Sequence, residues 1–302
     1  MCDETTEREL DAHLARKVLT RRSFAARATA TMAAASVAPA ASFAHEHKDA
    51  VALTEANVSI PSPDGTIDGI FVHPTEGAHA AVIFWPDIHG VRPAFFDMAR
   101  DLARSGYAVV AANPYYRTIE GRLFPEGMSI RDPGARELVI PHRSALSSDT
   151  VGVDTQALVI WLDTQSGVDT SRGIGAVGFC MTGSWTLRAA AAVPGRVRAP
   201  VSFHGGGLAT DAEDSPHLLA GSIQGGALIA IAENDHERFP DEKGTLIEAF
   251  DAAGVPAEIE VYEDAMHGWV PTDSRAHNPE QAKRAWGRML ALFETQLASA
   301  PV

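Results

Sequence analysis

Short apolar runs alternate with amphipathic segments along most of this sequence, and this alternation restricts the fold more than any other feature. The runs have the length of strands and contain few charges, which is typical of strands buried on both faces of a parallel sheet. They cover residues 79–86, 107–114, 172–179, 199–205, 227–235 and 257–264. A hairpin is predicted before them over 57–74, with its turn at Pro63-Asp64-Gly65.

The segments between the strands have helical spacing and recognisable end signals. The helices are predicted over 93–105, from Ser147, Ser148 or Asp149 to about Asp163, over 181–192, and at about 239–253 and 279–298. The stretch 115–142 is rich in Pro, Gly and Arg and is predicted to be a loop or cap over the site. Strands and helices that alternate without an internal repeat predict an α/β fold. Its central sheet would be mostly parallel, with helices on both faces.

The first 44 residues differ from the rest of the chain. Arg21-Arg22 followed by an Ala-rich run resembles a twin-arginine export signal, and small residues allow cleavage after Ala40 or Ala44. A mobile Ala-rich tail or an amphipathic helix is the alternative. The signal interpretation predicts a cleaved segment 1–44, a linker 45–56 and a single domain 57–298, exported to the periplasm by the twin-arginine machinery.

Charge and cysteine content exclude several classes of function. The formal net charge is −14, with a sequence pI near 5.2, which argues against binding to nucleic-acid phosphates. No apolar run is long enough to predict a stable membrane anchor. With Cys2 and Cys180 as the two cysteines, a zinc site built on paired thiolates is excluded. His45-Glu46-His47 is too short to predict a metal site, so we expect neither metal nor cofactor.

Three reactive residues follow predicted strands. Cys180 comes after "GAVGF", Asp235 after "ALIAIAEN" and His267 after "EIEVYEDAM". Because ligand sites gather at the carboxyl ends of parallel strands, we expect the three to meet there. Their order along the chain is nucleophile, acid, histidine, as in α/β-hydrolases. Each alone has an ordinary explanation, as a buried inert thiol, a turn aspartate or a surface imidazole, but their joint order predicts a catalytic triad.

The segment around Cys180 predicts a sharp strand–turn–helix. Gly178 and Gly183 supply the small residues that such a turn needs, whereas the β-branched Thr182 is expected to loosen or re-aim it. The backbone N–H of Met181, after the thiol, and that of Ile88, in the loop "PDIHG", are the candidate donors to an oxyanion.

The motifs "WPDIHGVRP", "NPYYR", "GFCMTG", "SFHGGGL", "AENDH" and "MHGW" resemble the dienelactone hydrolase family, the cysteine branch of the α/β-hydrolases, over roughly 55–298. The resemblance implies an α/β-hydrolase fold and hydrolysis of a lactone or small ester through a thioester at Cys180. His267 would be the general base, Asp235 its orienting acid, and Ile88 and Met181 the oxyanion hole.

Two positions depart from the family pattern. Asp87 stands where the family has a glutamate that takes the proton of the thiol, so either Asp87 or His267 alone would activate Cys180. Pro271 stands where the family has an arginine for the substrate carboxylate, which argues against dienelactone itself as the substrate. A general carboxylesterase and a non-catalytic ligand-binding protein on the same fold remain the alternative functions.

Further candidates for substrate contact lie just beyond strand ends or carry a cation. These are Tyr115, Tyr116, Arg117, Arg143, His204 and Trp269, with Arg92 and Arg136 as other arginines able to bind an anion.

Overall fold

Eight strands form one sheet in the computed structural model, which describes residues 4–28, 51–128, 130 and 132–298. The strands are β1 (Leu53–Ser62), β2 (Gly65–Pro74), β3 (Ala81–Trp85), β4 (Ala108–Ala112), β5 (Ile174–Phe179), β6 (Val197–Phe203), β7 (Ala227–Ala232) and β8 (Ala257–Tyr262). Their order in the sheet is β1-β2-β4-β3-β5-β6-β7-β8. The strands from β4 to β8 in this order pair in parallel, while β1–β2 and β2–β4 are antiparallel. The predicted hairpin and mostly parallel sheet are confirmed.

Helices connect the strands. They are α1 (Glu4–Ala28), α2 (Pro93–Arg104), α3 (Ala135–Ser144), α4 (Ser148–Leu162), α5 (Trp185–Ala192), α6 (Glu233–Arg238), α7 (Glu242–Ala253) and α8 (Pro279–Gln296). Ser147 caps α4, as one of the predicted alternatives, through its hydroxyl and the Thr150 N–H. Three helices differ from the predictions. Helix α3 begins inside the stretch 115–142, and the short α6 begins where the strand at 227–235 was expected to continue. Helix α5 begins at Trp185 and not at 181, because a short 3-10 helix occupies Cys180–Thr182.

Helices cover both faces of the sheet, so each face has its own apolar core. On one face Leu158 of α4, Leu187 of α5 and Leu246 of α7 pack against the strands. On the other face Leu102 of α2 and Phe293 of α8 are buried against the opposite sides of the same strands. Full burial of one such side chain stabilises the fold by about 1.5–3 kcal/mol. This double coverage explains why the strands read as continuous apolar runs.

The predicted export segment divides between described and undescribed residues. The backbone of Arg21 and Arg22 belongs to α1, while Cys2, the cleavage positions Ala40 and Ala44, and His45-Glu46-His47 lie outside the described residues. No helix within the described ranges is both long and apolar enough to cross a bilayer.

Candidate active site

The three candidate catalytic residues come from different strand ends on one edge of the sheet. Cys180 follows β5 directly and begins a short 3-10 helix over Cys180–Thr182. Asp235 lies in the first turn of α6, just after β7, and His267 lies in the loop after β8. All three are buried. Since β5, β7 and β8 are parallel, their carboxyl ends bring these side chains to the same edge.

Cys180 sits on a strained turn. Its φ is +54°, in the left-handed region that costs a non-glycine residue about 1–3 kcal/mol. The turn also needs the two flanking glycines. A Cβ on Gly178 would lie 2.1 Å from the carbonyl oxygen of Thr182, and one on Gly183 would lie 2.4 Å from the Cα of Gly205. The backbone is therefore folded tightly enough to present the sulfur outward from the end of β5.

Thr182 does not loosen this turn, contrary to the expectation from its branched side chain. It is fully buried, and its hydroxyl accepts a hydrogen bond from the Phe179 N–H at 2.9 Å. The same oxygen lies 3.1 Å from the Trp85 carbonyl oxygen and 3.0 Å from that of Pro86, at the end of β3. The residue that looked out of place thus ties the turn to a neighbouring strand.

His267 is fixed by the residues of α6. Its Nδ1 and an Asp235 carboxylate oxygen are 2.6 Å apart, and its backbone N–H donates to the Asn234 side-chain oxygen at 2.8 Å. Burial opposes protonation of the imidazole, but the charges of Asp235 and Cys180 outweigh it and hold the His267 pKa well above its ordinary value. Nε2 forms no well-aligned hydrogen bond within the described residues. Nε2 is therefore the ring nitrogen that is available to bond the thiol or a substrate.

The two candidate oxyanion donors are the backbone N–H groups of Ile88, after β3, and of Met181, after Cys180. Neither the Ile88 nor the Met181 backbone N–H has an acceptor in the described part of the chain. Ile88 is also held from its other side, because the Tyr115 hydroxyl donates to its carbonyl oxygen at 2.8 Å and contacts the Met181 sulfur at 3.5 Å. Two backbone N–H groups without acceptors beside a candidate nucleophile are what an oxyanion hole requires.

Asp87 is engaged by an arginine. Its carboxylate accepts hydrogen bonds from both terminal nitrogens of Arg92, at 2.7 and 2.9 Å, and from the His89 backbone N–H at 2.9 Å. Burial acts to raise the Asp87 pKa, but the charges of Arg92 and His89 prevail and hold it well below its usual range. Arg92 also binds Asp273, with Nε 2.6 Å from a carboxylate oxygen. In this arrangement Asp87 is an ionised carboxylate and a poor proton acceptor.

A first cavity of about 330 Å³ opens on one side of the thiol. Cys180, His267, His204 and Asp87 line it, and so does Leu10 of α1. His204 is fully buried with φ of +39°, and its two ring nitrogens have no hydrogen-bond partner among the described residues. Burial, and then the neighbouring His267, lower its pKa well below the ordinary value, so its imidazole is neutral. A neutral imidazole offers one donor and one acceptor to a bound molecule.

A second cavity of about 260 Å³ lies on the other side of Cys180, beside Ile88 and Met181. Two guanidinium groups, those of Arg143 and Arg188, line it. The cost of burying the Arg188 guanidinium is only weakly offset by a carboxylate partner. Its side chain is 16% exposed, and it contacts the largely exposed Asp214 at 3.4 Å. Burial accordingly lowers the Arg188 pKa despite that partner.

Comparison with known proteins places the chain in a family. Residues 67–297 match the model of the dienelactone hydrolase family. The chain belongs to that family. A Synechocystis protein provisionally named carboxymethylenebutenolidase is 29% identical over 245 residues, which are 80% of this chain and 96% of the relative. Carboxymethylenebutenolidase from Rhodococcus opacus is 26% identical over 258 residues, 83% of this chain and 96% of the relative.

Solved structures agree with this assignment of the fold. A Klebsiella pneumoniae protein, provisionally described as a dienelactone hydrolase, superimposes with a TM-score of 0.69 at 26% identity. The match covers 81% of this chain and 99% of that protein. The predicted α/β-hydrolase fold is confirmed by these comparisons, and the names of the relatives indicate a hydrolase.

Other members of the predicted site fall in different places. Tyr116 and Arg117 lie outside both cavities and are engaged elsewhere, since the Tyr116 hydroxyl donates to Asp154 at 2.6 Å and Arg117 binds the same carboxylate. Trp269 is fully buried behind His204, with ring centroids 5.1 Å apart.

Arg136 is exposed and lines neither cavity around Cys180. Arg188 and the residues of α1 that line the cavities were missed in the sequence. Helical spacing could have placed Arg188 on the helix that follows the thiol, but no signal in this dienelactone hydrolase family member relates α1 to the site.

Proposed function

We propose that this chain is a carboxylic ester hydrolase that opens a lactone or small ester through a Cys180–His267–Asp235 triad. The observation that carries the proposal is the joint geometry of a thiol on a strained turn and a buried imidazole held by a carboxylate. Burial opposes protonation of His267, but the charges of Asp235 and Cys180 outweigh it and raise the His267 pKa. The raised pKa favours an imidazolium beside a thiolate. A thiolate is the nucleophilic form of cysteine.

The first half of the reaction forms a thioester. The Cys180 thiolate attacks the carbonyl carbon, and the carbonyl electron pair moves to oxygen, where the Ile88 and Met181 N–H groups stabilise the negative charge. The intermediate then re-forms its carbonyl and expels the alkoxide, which takes a proton from the His267 imidazolium. With a lactone, the alcohol stays attached to the acyl chain.

The second half regenerates the thiol. Neutral His267 takes a proton from water as the water oxygen attacks the thioester carbonyl, and collapse of the intermediate releases the carboxylic acid and the Cys180 thiolate. Asp235 holds Nδ1 throughout, so Nε2 faces the reacting atoms. No step uses a cofactor. Asp87, bound by Arg92, stabilises the loop that carries Ile88, and His267 is the base in this scheme.

A general carboxylesterase is the second candidate, and one observation favours it. Pro271, where the family pattern has an arginine for a substrate carboxylate, is buried and carries no charge. Neutral esters would then be accepted as well as lactones. Comparing kcat/KM for dienelactone with that for p-nitrophenyl acetate separates the two specificities.

The triad is tested with p-nitrophenyl acetate and the full-length protein. Cys180→Ala and His267→Ala should abolish turnover, while His79→Ala, whose imidazole lies near the amino end of β3 and bonds the Glu76 carbonyl oxygen, should leave it unchanged. Mass spectrometry of a rapidly quenched reaction should find an acetyl group on Cys180. Turnover that survives either triad substitution would overturn the proposal, and binding without any turnover would favour the non-catalytic alternative.

We also propose that the protein is exported to the periplasm by the twin-arginine route. The support is the Arg21-Arg22 pair and the small-residue cleavage positions after it. Replacing Arg21 and Arg22 by lysine should keep the uncut precursor in the cytoplasm, and fractionation followed by mass measurement reads this out. Equal export of the lysine variant would contradict the assignment.

A further inference from the structure

Thr182 connects two parts of the active site that no strand pairing joins at this point. The Phe179 N–H binds its hydroxyl oxygen from within the turn, at 2.9 Å. The hydroxyl proton faces three carbonyl oxygens: those of Trp85 and Pro86 at the end of β3, at 3.1 and 3.0 Å, and that of Phe179 within the turn, at 3.1 Å. Pro86 is two residues before Ile88, and Thr182 is one residue after Met181. The hydroxyl therefore spans the backbone segments that carry both oxyanion donors.

We propose that Thr182 is a positioning residue that holds the Cys180 turn in register with the Ile88 loop. The inference rests on the proposed hydrolase function. It explains why a β-branched side chain occupies a turn so tight that Gly178 cannot carry a Cβ. A glycine at 182 would remove this link, so that beyond the last pair of β3 and β5, Trp85 with Gly178, loop packing alone would align the two N–H donors.

The variants Thr182→Val and Thr182→Ser test this role. Valine keeps the shape and loses the hydroxyl, while serine keeps the hydroxyl. Because a misplaced oxyanion donor lowers kcat about 10²-fold, we expect Thr182→Val to lower kcat for p-nitrophenyl acetate by about that factor with little change in KM. Thr182→Ser should restore kcat to within about threefold of the parent.

Thr155→Val is the matched control for the loss of a buried hydroxyl. Thr155 is also fully buried, and its hydroxyl donates to the Val151 carbonyl oxygen at 2.7 Å within α4. It should lower the melting temperature without changing kcat at a temperature where all variants are folded by circular dichroism. Equal kcat for Thr182→Val and Thr155→Val would overturn the positioning role.

Alkylation of Cys180 by iodoacetamide keeps the test independent of ester turnover. A turn displaced from His267 loses thiolate character, so the pH midpoint of alkylation should rise in Thr182→Val and stay at the parent value in Thr182→Ser and Thr155→Val. If the parent protein hydrolyses no ester, the proposed function fails, and the alkylation midpoints alone decide the role of Thr182. An unchanged midpoint in Thr182→Val would then overturn it.

A separate observation concerns α1, which forms part of the wall of the first cavity. Thr6, Glu7 and Leu10 line that cavity together with Cys180 and His267. Leu10 is buried against Met266 and Ala276. A helix near the amino terminus thus lines the same cavity as the thiol.

Polar contacts fix this helix beside the triad. A Glu9 carboxylate oxygen accepts hydrogen bonds from the Asn234 side chain and from Arg238, both at 2.8 Å. Asn234 is the residue whose other side-chain atom accepts the His267 N–H. Asp11 binds Arg275 at 2.9 Å. The helix contacts the same groups that hold His267 in place.

We infer that the docked segment 5–17 keeps the full-length chain in a state of low activity by restricting access to Cys180. Separation of this segment from the domain, as the proposed export cleavage would produce, opens the first cavity. The predicted low activity rests on the proposed hydrolase function. Its structural part, restricted access to the thiol, is measured without any ester.

Two glutamate substitutions in the full-length chain test the inference, in a Cys2→Ser background. Leu10→Glu places a charge where the helix is buried, while Ala15→Glu places the same charge on its exposed side. Loss of a buried leucine contact costs about 1.5–3 kcal/mol. We therefore expect Leu10→Glu to raise the rate of Cys180 alkylation by an N-aryl maleimide roughly tenfold or more, with Ala15→Glu at the parent rate.

The outcome that overturns the inference is equal alkylation rates for Leu10→Glu, Ala15→Glu and the parent. A rise in both variants would also overturn it, because the effect would then come from charge and not from undocking. Ester turnover, measured in parallel, should follow the alkylation rate. Absence of turnover in all three proteins counts against the proposed function and leaves the alkylation comparison decisive.

Discussion

Arg92 binds two carboxylates next to the candidate site, so its removal should destabilise the fold. Its terminal nitrogens bind both oxygens of Asp87, and its Nε and one terminal nitrogen bind Asp273. Arg92→Met removes these donors and keeps most of the apolar stem. Asp87 then retains the His89 hydrogen bonds but loses the guanidinium beside it.

The expected loss of stability follows from burial. The side chains of Arg92 and Asp87 are 10% and 9% exposed. Removing one partner of such a pair leaves a buried charge and costs about 3–5 kcal/mol. The pair Arg104–Asp101 is the matched control, because its side chains are 51% and 66% exposed. Arg104→Met should cost about 0.5 kcal/mol or less, since solvent screens an exposed pair of this kind.

The pH dependence of the loss has a definite sign. In the parent, burial acts to raise the Asp87 pKa but Arg92 and His89 hold it well below its usual range. The carboxylate therefore contributes stability that is present above its unfolded pKa and is lost as pH falls through the folded value. Without Arg92, burial dominates and raises the pKa. The difference between parent and Arg92→Met should be largest near neutral pH and should shrink as pH falls through the raised Asp87 pKa of the variant toward the lowered pKa of the parent.

Urea unfolding at a series of pH values, followed by circular dichroism, measures this difference. The reasoning is refuted if Arg92→Met and Arg104→Met lose the same stability at pH 7. It is also refuted if the loss in Arg92→Met does not decrease toward acid pH, because the cost would then not come from an ionised Asp87.

Three further predictions concern the turn, the triad and the second cavity. Gly178→Ala puts a Cβ 2.1 Å from a carbonyl oxygen and should lower the free energy of unfolding by about 3 kcal/mol. Gly244→Ala, in α7 with open space around its Cβ, should raise it by about 0.5–1 kcal/mol, and thermal melts compare the two. Asp235→Asn removes a charge that raises the His267 pKa against the effect of burial, so the pH midpoint of thiol alkylation should rise, and an unchanged midpoint would contradict the pairing. Arg188→Met should raise KM about tenfold for a carboxylate-bearing ester but not for its methyl ester, since a charged hydrogen bond contributes about 1.5–3 kcal/mol. Equal changes in KM for the two esters would show that Arg188 does not bind the carboxylate.

The fold was predictable because local signals and tertiary burial agree. Strands covered on both faces must be apolar throughout, so β3, β4 and β7 are recognisable by composition alone. Helix α3 was not, because Pro141 within it and Gly134 before it are residues that usually end helices. The helix is held instead by burial of Ala135 and Val139 in a cluster that includes Tyr115. Tertiary packing overrides local preference there.

The common position of Cys180, Asp235 and His267 at one edge of the sheet could be predicted from their order after the strands, since parallel strands bring their carboxyl ends together. The partners of Asp87 could not. The sequence places Arg92 five residues later, but whether that guanidinium folds back onto Asp87 depends on the loop. Its second partner, Asp273, is remote along the chain. From the sequence, Asp87 is therefore one of two candidate proton acceptors for the thiol, with His267 as the other, while the structure gives Asp87 a charge partner.

The amino-terminal segment shows a different limit of sequence reasoning. The interpretation of residues 1–44 as an export signal predicts no contact between them and the folded domain. In the structure, however, Thr6 and Leu10 line the first cavity, and Leu14 packs against the apolar cluster that contains Leu10. The two roles are compatible because the docking surface is small and largely polar. Its hydrogen bonds from Glu9 and Asp11 can be exchanged for water at little net cost, and Leu10 is its one deeply buried apolar residue. If the chain is exported and cleaved as proposed, such a helix can dock first and separate afterwards, and a twin-arginine motif carries no trace of that contact.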